Sequence, residues 1–206
     1  GFVAYVFSMY TTTVANTNFI ITTETIFLAL FGYFFLKEKI NLITFISIIL
    51  GMSGVLIILG SSLSIQSSEQ FLGNIVAFIM PISFAVLVIV IRKYPNVDMV
   101  PAQFTAGIAA AIIGFFIAGQ LSISIHDLFL ALLAGFFQIG FGFILITVGS
   151  QTTPAAIVGV MMLTESVFGP LWAWLFINEV PPTAVVIGGS IIIFSILFQS
   201  FFTKKA

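Results

Sequence analysis

The sequence predicts an all-α integral membrane protein, and three observations support this fold class. Of the 206 residues, 60% are hydrophobic and only 6% are charged, whereas a soluble domain carries about 25% charged residues. The apolar residues form stretches of membrane-spanning length, and nearly all of the charge lies in the short connections between them. So few charged side chains cannot cover a globular surface in water, and we therefore expect lipid to contact most of the outer surface.

Seven apolar stretches are long enough to cross a hydrocarbon core about 30 Å thick, since a helix rises about 1.5 Å per residue. These stretches are residues 13–36, 41–60, 71–91, 100–119, 128–149, 154–177 and 182–203. An eighth stretch, residues 1–12, is too short to span and is interpreted as the end of a helix whose start is missing. The connections between the spans are short, and this predicts helix hairpins, because lipid does not accommodate exposed strands.

The charges predict how the chain is oriented in the membrane. If the connections alternate between the two sides, the basic residues all fall on one side: Lys37, Lys39, Arg92, Lys93, Lys204 and Lys205. The other side then carries only Glu69, His126, Asp127 and Glu179. Lys and Arg are concentrated in cytoplasmic loops. We therefore expect a multi-pass protein of the cell membrane with a cytoplasmic C-terminus.

An internal repeat becomes visible when the sequence is shifted against itself until Glu24 coincides with Glu165. The same shift brings Glu38 onto Glu179, so that TTETIFLALFGYFFLKE lies over LTESVFGPLWAWLFINE. Five spans separate the equivalent helices, which predicts that these helices cross the membrane in opposite directions. Inverted repeats of this kind are typical of secondary carriers, in which the substrate site lies near the bilayer midplane.

The repeat also predicts the domain organisation of the parent protein. A second repeat that begins near Phe71 places the start of the first repeat well before Gly1. We therefore expect a parent inverted-repeat bundle of ten transmembrane helices, of which about seven and a half are present here. Residues 1–60 form the C-terminal part of the first repeat, residues 61–70 an external linker, and residues 71–206 the complete second repeat.

The pattern resembles the EamA family of the drug/metabolite transporter superfamily, over essentially the whole chain. LTESVFGPLWAWLFINE at residues 163–179 is similar to the ninth helix of that family, and GMSGVLIILG at 51–60 is similar to its glycine-bearing fifth helix. Many members place Pro directly after the ninth-helix Glu, where this chain has Ser166. The resemblance implies export or exchange of small metabolites or drug-like molecules without ATP. It also implies contact with the lipid bilayer, a small-molecule substrate and no cofactor.

Two acidic residues inside the spans are the leading candidates for substrate or coupling roles. Glu24 and Glu165 each lie near the middle of a predicted helix. An acid at that depth costs a few kcal/mol and must face protein or water. Such an acid could couple proton movement to substrate movement or pair with the ammonium group of an amine substrate. The alternative is a protonated Glu that only holds helices together.

Further candidates follow from helical spacing and from polar or kink-forming residues within spans. Residues on the face of Glu165 predict a pocket for a flat or apolar molecule with a positive group; the candidates among them are Met161, Met162, Phe168 and Trp172. The same side chains could instead face lipid. Two further polar candidates are Asn16 and Gln138. Structural or gating roles are expected for Glu38, Glu179, Pro81 and Pro170.

Other functional classes find little support in the sequence. An intramembrane enzyme would need a nucleophile, base or metal site, but the chain has no HExxH or GxSxG motif, no cysteine and a single histidine. The sequence therefore predicts a non-enzyme that needs no metal and binds no nucleic acid. A lipid-linked-substrate flippase or a scaffold of the same fold is the alternative to a small-molecule carrier.

Overall fold

The computed structural model describes residues 1–60, 67–117, 122–178 and 180–202, and within these ranges it is helical without any strand. Seven helical stretches are long and apolar enough to cross a membrane. This confirms the predicted all-α membrane class and the number of spans. The spans are Asn16–Leu36, Leu42–Leu59, Ser68–Lys93, Val100–Ile117, Ile125–Thr152, Ala155–Phe176 and Thr183–Phe202.

Several spans are divided, so the helices outnumber the crossings. In chain order they are α1 (Phe2–Thr11), α2 (Val14–Thr22), α3 (Glu24–Leu36), α4 (Leu42–Leu59), α5 (Ser68–Ala77), α6 (Ile79–Lys93), α7 (Val100–Ile117), α8 (Ile125–Leu133), α9 (Gly142–Thr152), α10 (Ala155–Met162), α11 (Glu165–Ile177) and α12 (Thr183–Phe202). A π-helical segment, Ala134–Phe141, joins α8 to α9.

The helices begin where short polar side chains can accept a backbone hydrogen bond. Asn41 accepts a bond from Thr44 N at the start of α4 (2.7 Å), and Ser124 accepts one from Asp127 N at the start of α8 (3.0 Å). N-caps of this kind satisfy amides that lack an intrahelical partner. The Ser124 cap begins the helix before the predicted start of the span at residue 128.

Pro81 lies just after the break that separates α5 from α6. Because proline has no N–H, the carbonyl of Ala77 has no helical donor four residues later, and α5 ends at Ala77. The Pro81 side chain is fully buried. A hinge role for Pro81 stays a prediction, but the helix does break at this point.

The closest helix packing in the described residues joins α4 to α12. A Cβ atom on Gly54 would lie 2.6 Å from Gly188 O, and one on Gly188 would lie 2.4 Å from Gly54 O. Small residues allow helix backbones to approach in this way within membranes. Ser195 Oγ donates to Ser47 O (2.7 Å). Early residues of α4 therefore meet late residues of α12, and the two helices are antiparallel.

A second interface joins α3, α6 and α10 around a buried apolar cluster. Leu28, Val88 and Ala155 are fully buried there. Gly159 lies against Thr25, whose hydroxyl donates to Gly159 O (2.9 Å). Large apolar side chains elsewhere are exposed, above all along α7, α8 and the π-helical segment, as expected of a surface that lies in lipid.

Candidate functional site

Glu24 and Glu165 each occupy the first position of a helix that follows a break inside a span. Glu24 begins α3 after α2 ends at Thr22, and Glu165 begins α11 after α10 ends at Met162. The sequence predicts continuous helices over 13–36 and 154–177, with Pro170 as the one candidate bend. Both spans do continue through these positions, but one or two turn residues interrupt the helix just before each glutamate. α11 itself runs through Pro170 without interruption.

Two threonines explain why the chain breaks at these points. Thr23 Oγ1 donates to Ile20 O (2.5 Å), and Thr164 Oγ1 donates to Met161 O (2.7 Å). The backbone amides of both threonines also bond three residues back, to the same carbonyls. This tighter i to i−3 pattern replaces regular helical bonding for one turn. The two breaks therefore share this hydrogen-bond pattern, at positions that the shift of Glu24 onto Glu165 aligns.

The Glu165 carboxyl lies close enough to the Glu24 carboxyl to influence it electrostatically. Glu165 interacts in the same way with the Tyr5 hydroxyl on α1. Glu24 is buried, with 5% of its surface exposed, whereas the Glu165 side chain is exposed. α1, α3 and α11 therefore bring three ionisable groups into electrostatic range, with Glu165 common to both pairs. Tyr5 has no signal in the sequence, because only packing decides which helix faces Glu165.

Aromatic rings form a row along α11 that starts near Glu165. Phe168 and Trp172 are stacked, with ring centroids 6.3 Å apart and planes at 23°. Trp172 also contacts Phe176, at 5.6 Å between centroids. Phe168, Trp172 and Phe176 are all exposed. The row thus offers flat apolar surface beside a carboxyl group.

The two predicted methionines lie on α10, before the break, and are only partly exposed. Met162 packs against the buried apolar cluster between α3 and α6, so it contributes to helix packing. Met161 supplies the carbonyl that accepts the Thr164 hydroxyl. Neither contact tests the predicted role of these residues in binding substrate.

Asn16 belongs to a polar cluster away from the glutamates. Its amide Nδ2 donates to Thr12 Oγ1 (3.1 Å) and to Asn74 Oδ1 (3.3 Å), and Thr12 Oγ1 donates to Asn74 Oδ1 (2.6 Å). The cluster ties the corner between α1 and α2 to α5. By contrast, Gln138 is exposed on the π-helical segment, a kind of helix distortion that is frequent at functional sites.

Glu38 forms an ion pair just beyond the end of α3. Arg92 Nε donates to Glu38 Oε1 (2.8 Å), and Ala155 N donates to Glu38 Oε2 (2.8 Å). The repeat equivalent of Glu38 is Glu179, which lies outside the described residues. Among the residues that the structure does describe, no group of His, Cys, Asp and Glu side chains could hold a metal ion.

Comparison with known proteins identifies the family. The EamA-like transporter family matches residues 1–60 and 68–201 of this chain. An uncharacterized transporter of Clostridium kluyveri is 26% identical over 194 residues, covering 89% of this chain and 62% of the relative. Solute carrier family 35 member G1 of Mus musculus is 27% identical over 201 residues, covering 90% of this chain and 54% of the relative.

A transporter of Methanothermobacter thermautotrophicus, also uncharacterized, is 26% identical over 82% of this chain and 51% of its own length. The chain thus spans between half and two thirds of the length of these curated relatives. One solved crystal structure superposes with a TM-score of 0.82 over 97% of this chain and 73% of the other. At 18% identity this likeness concerns the fold alone. The names of the family and of these relatives point to transport and away from catalysis. The chain belongs to the EamA-like transporter family.

Proposed function

We propose that this protein is a secondary transporter for small, flat organic molecules that carry a positive charge. The main support is the pair of glutamates at two aligned helix breaks, with the Glu165 carboxyl within electrostatic range of the Glu24 carboxyl. Discontinuous helices near the bilayer midplane form the substrate and ion sites of many carriers. Transport then proceeds by alternating access, with the substrate exported or exchanged.

The distribution of charge favours a cationic substrate. All Lys and Arg residues lie in connections or at the ends of helices, and the single His lies near the start of α8. The middle of the bundle therefore offers carboxyl groups but no cationic side chain to an incoming ligand. An anionic substrate would meet like charge at low dielectric, which is strongly unfavourable.

The aromatic row adds a preference for flat molecules. Phe168, Trp172 and Phe176 present ring faces next to Glu165, and aromatic faces attract organic cations as well as apolar rings. We propose roles in substrate contact for Trp172 and Phe168, with Met161 and Met162 as adaptable apolar neighbours. Asn16 and Gln138 are proposed as secondary polar contacts along the path.

We further propose that residues 1–60 and 71–206 belong to two inverted repeats joined by an external linker at 61–70. Several local features that recur at the spacing between Glu24 and Glu165 support this. Lys37 and Asn178 both end their helices with positive φ angles, 56° and 55°. α4 and α12 begin at equivalent positions, and they are antiparallel. Rocking of one repeat against the other would expose the site alternately to the two sides.

The proposed substrate class can be tested with the complete protein in proteoliposomes. Liposomes preloaded with an unlabelled aromatic amine should accumulate the labelled amine by counterflow. A neutral analogue of the same shape and a carboxylated analogue should not be taken up. Equal uptake of the carboxylated analogue would contradict the charge argument, and no counterflow by any of a broad set of aromatic amines would contradict the proposed function. Varying the pH gradient separates proton-coupled transport from exchange.

A tryptophan substitution tests the aromatic row. Trp172→Ala should raise KM for the transported amine by about tenfold, because it removes the ring stacked between Phe168 and Phe176. Trp174→Ala is the matched control, since Trp174 is similarly exposed on the same helix but lies outside the row. Similar KM values for the two variants would place the binding surface elsewhere.

The proposed orientation predicts one-sided labelling. We propose that the C-terminus lies in the cytoplasm and that the protein resides in the cell membrane, because the basic residues share one side. A cysteine at Ser68 should react in intact cells with an impermeant maleimide, and a cysteine at Asn96 should react only after the membrane is opened. Both positions are exposed. The opposite labelling pattern would reverse the topology.

A further inference from the structure

Arg92 makes two strong contacts at the end of α6, in addition to its position in the charge pattern. Its Nε donates to Glu38 Oε1 at 2.8 Å, and its Nη1 donates to the carbonyl of Gln151 at 2.9 Å. The planar guanidinium holds both acceptors at once, which a lysine ammonium does less well. The Arg92 and Glu38 side chains are only 24% and 20% exposed, so solvent weakens the pair less than it would a surface pair.

Glu38 continues the network with its second oxygen. Glu38 Oε2 accepts a hydrogen bond from Ala155 N at the start of α10. A carboxylate at a helix N-terminus is stabilised by the helix dipole as well as by the hydrogen bond. The Arg92 latch, as we name the group Glu38, Arg92, Gln151 and Ala155, therefore connects the ends of α3, α6 and α9 to the start of α10.

The latch lies at the end of a closely packed helix pair. α3 and α10 are antiparallel, because Thr25 meets Gly159 while Gly32 lies close to Ala155. The repeat equivalents of these helices are α11 and α2, and the described residues of α11 and α2 make no extended contact. Within the described residues, the latch side of the glutamate pair is therefore closed by a helix contact that α2 and α11 do not make.

We propose that Arg92 is a positioning residue for transport, which holds the basic end of the bundle closed through Glu38 and must release it when that end opens. The proposal rests on the alternating-access function proposed above. Glu38 belongs to the first stretch that matches the family, and its three latch partners belong to the second. Movement of one stretch against the other therefore has to separate Glu38 from both Arg92 and Ala155.

The substitution Ser150→Cys can report whether this end of the bundle is open. Ser150 lies in the last turn of α9, beside the Arg92 acceptor Gln151, and is 1% exposed. Its hydroxyl finds no hydrogen-bond partner within the described part of the chain, so Ser150→Cys should be tolerated. The test measures the rate at which N-ethylmaleimide labels this cysteine in the reconstituted complete protein, in a background free of other cysteines and without substrate.

Arg92→Gln and Glu38→Gln should each raise the labelling rate about tenfold, as expected for the loss of a charged, partly buried hydrogen bond. Lys93→Gln is the matched control: it removes the same charge one residue later and should leave the rate unchanged. Arg92→Lys should give an intermediate rate. If the glutamine variants do not fold, a faster rate for Arg92→Lys than for Lys93→Gln supports the proposal, and equal rates contradict it. Equal labelling of the latch variants and of Lys93→Gln would overturn the proposal.

The labelling result is independent of the proposed substrate site. Glu165→Gln should lose substrate flux but keep the slow parental labelling at Ser150→Cys. If Glu165→Gln retained flux while Arg92→Gln still labelled fast, the substrate site would be wrong and the latch would stand. If Glu165→Gln lost flux and all latch variants labelled slowly, the latch would be wrong and the site would stand.

Discussion

Glu165→Gln should abolish substrate flux in proteoliposomes while the protein remains folded. Glutamine keeps the size and most of the hydrogen bonding of the side chain but removes the charge that we propose to pair with the substrate. Removing that charge removes the ion pair with a cationic substrate, and so we expect flux to fall by at least about a hundredfold. The measurement is counterflow at matched protein density, with a thermal melt as the folding control.

Glu69→Gln is the matched control for this substitution. Glu69 lies in the exposed first turn of α5, away from the glutamate pair, and its neutralisation should leave flux unchanged. Glu165→Asp keeps the charge and should retain part of the activity. If Glu165→Gln supports parental flux with unchanged pH dependence, the acid is structural and the proposed mechanism is wrong.

The proximity of Glu24 and Glu165 also predicts that a proton and a cationic substrate compete for the pair. Two carboxyl groups within electrostatic range repel each other when both are ionised, and the cost is larger because Glu24 is buried. A cationic substrate between Glu24 and Glu165 removes that cost, and so does a proton. Substrate and proton would therefore compete for the same pair, and this competition gives a physical basis for exchange of one against the other.

The largest expected effect on stability is at the interface between α4 and α12. Gly54→Ala places a methyl group 2.6 Å from Gly188 O, so the two backbones must separate and other contacts must stretch. Overpacking of this kind costs about 1–3 kcal/mol. We expect a lower midpoint of thermal or detergent unfolding, and a larger fall with Gly54→Leu.

Gly107→Ala provides the matched control on α7. A Cβ atom at Gly107 would meet no heavy atom within 4 Å, and alanine favours the helix over glycine by about 0.5–1 kcal/mol. This substitution should therefore leave stability unchanged or raise it slightly. If both alanine variants melt like the parent, the close approach of α4 and α12 does not contribute to stability.

The helix breaks illustrate what the sequence could and could not predict about the site. The shift that aligns Glu24 with Glu165 also aligns Thr23 with Thr164, so the equivalence of the two positions was visible. The breaks themselves were not, because we expected a helix bend only at a proline. A threonine hydroxyl that bonds to a carbonyl three residues back interrupts the helix without any proline, and its rotamer cannot be inferred from composition.

The basic end of the bundle gives a second example. The sequence placed Arg92 and Glu38 on the same side of the membrane through the pattern of charges. It gave no indication that these two side chains, 54 residues apart, form an ion pair. That contact depends on how α3, α6 and α10 pack, since a positive-inside pattern specifies the side of the membrane but not position around the bundle.

Sequence alone predicts the membrane environment, the number of crossings and a mid-span position for Glu24 and Glu165. These properties depend on the cost of moving each side chain between lipid and water, which can be summed along the chain. The three-dimensional packing was needed to show that Glu24 is buried and that Glu165 lies within electrostatic range of Tyr5. It was also needed to show that α3 packs against α10, while the described residues of α2 and α11 make no extended contact. Those facts depend on the rotation of each helix about its axis, and in lipid an apolar face has no water-driven preference for a neighbouring helix over the bilayer.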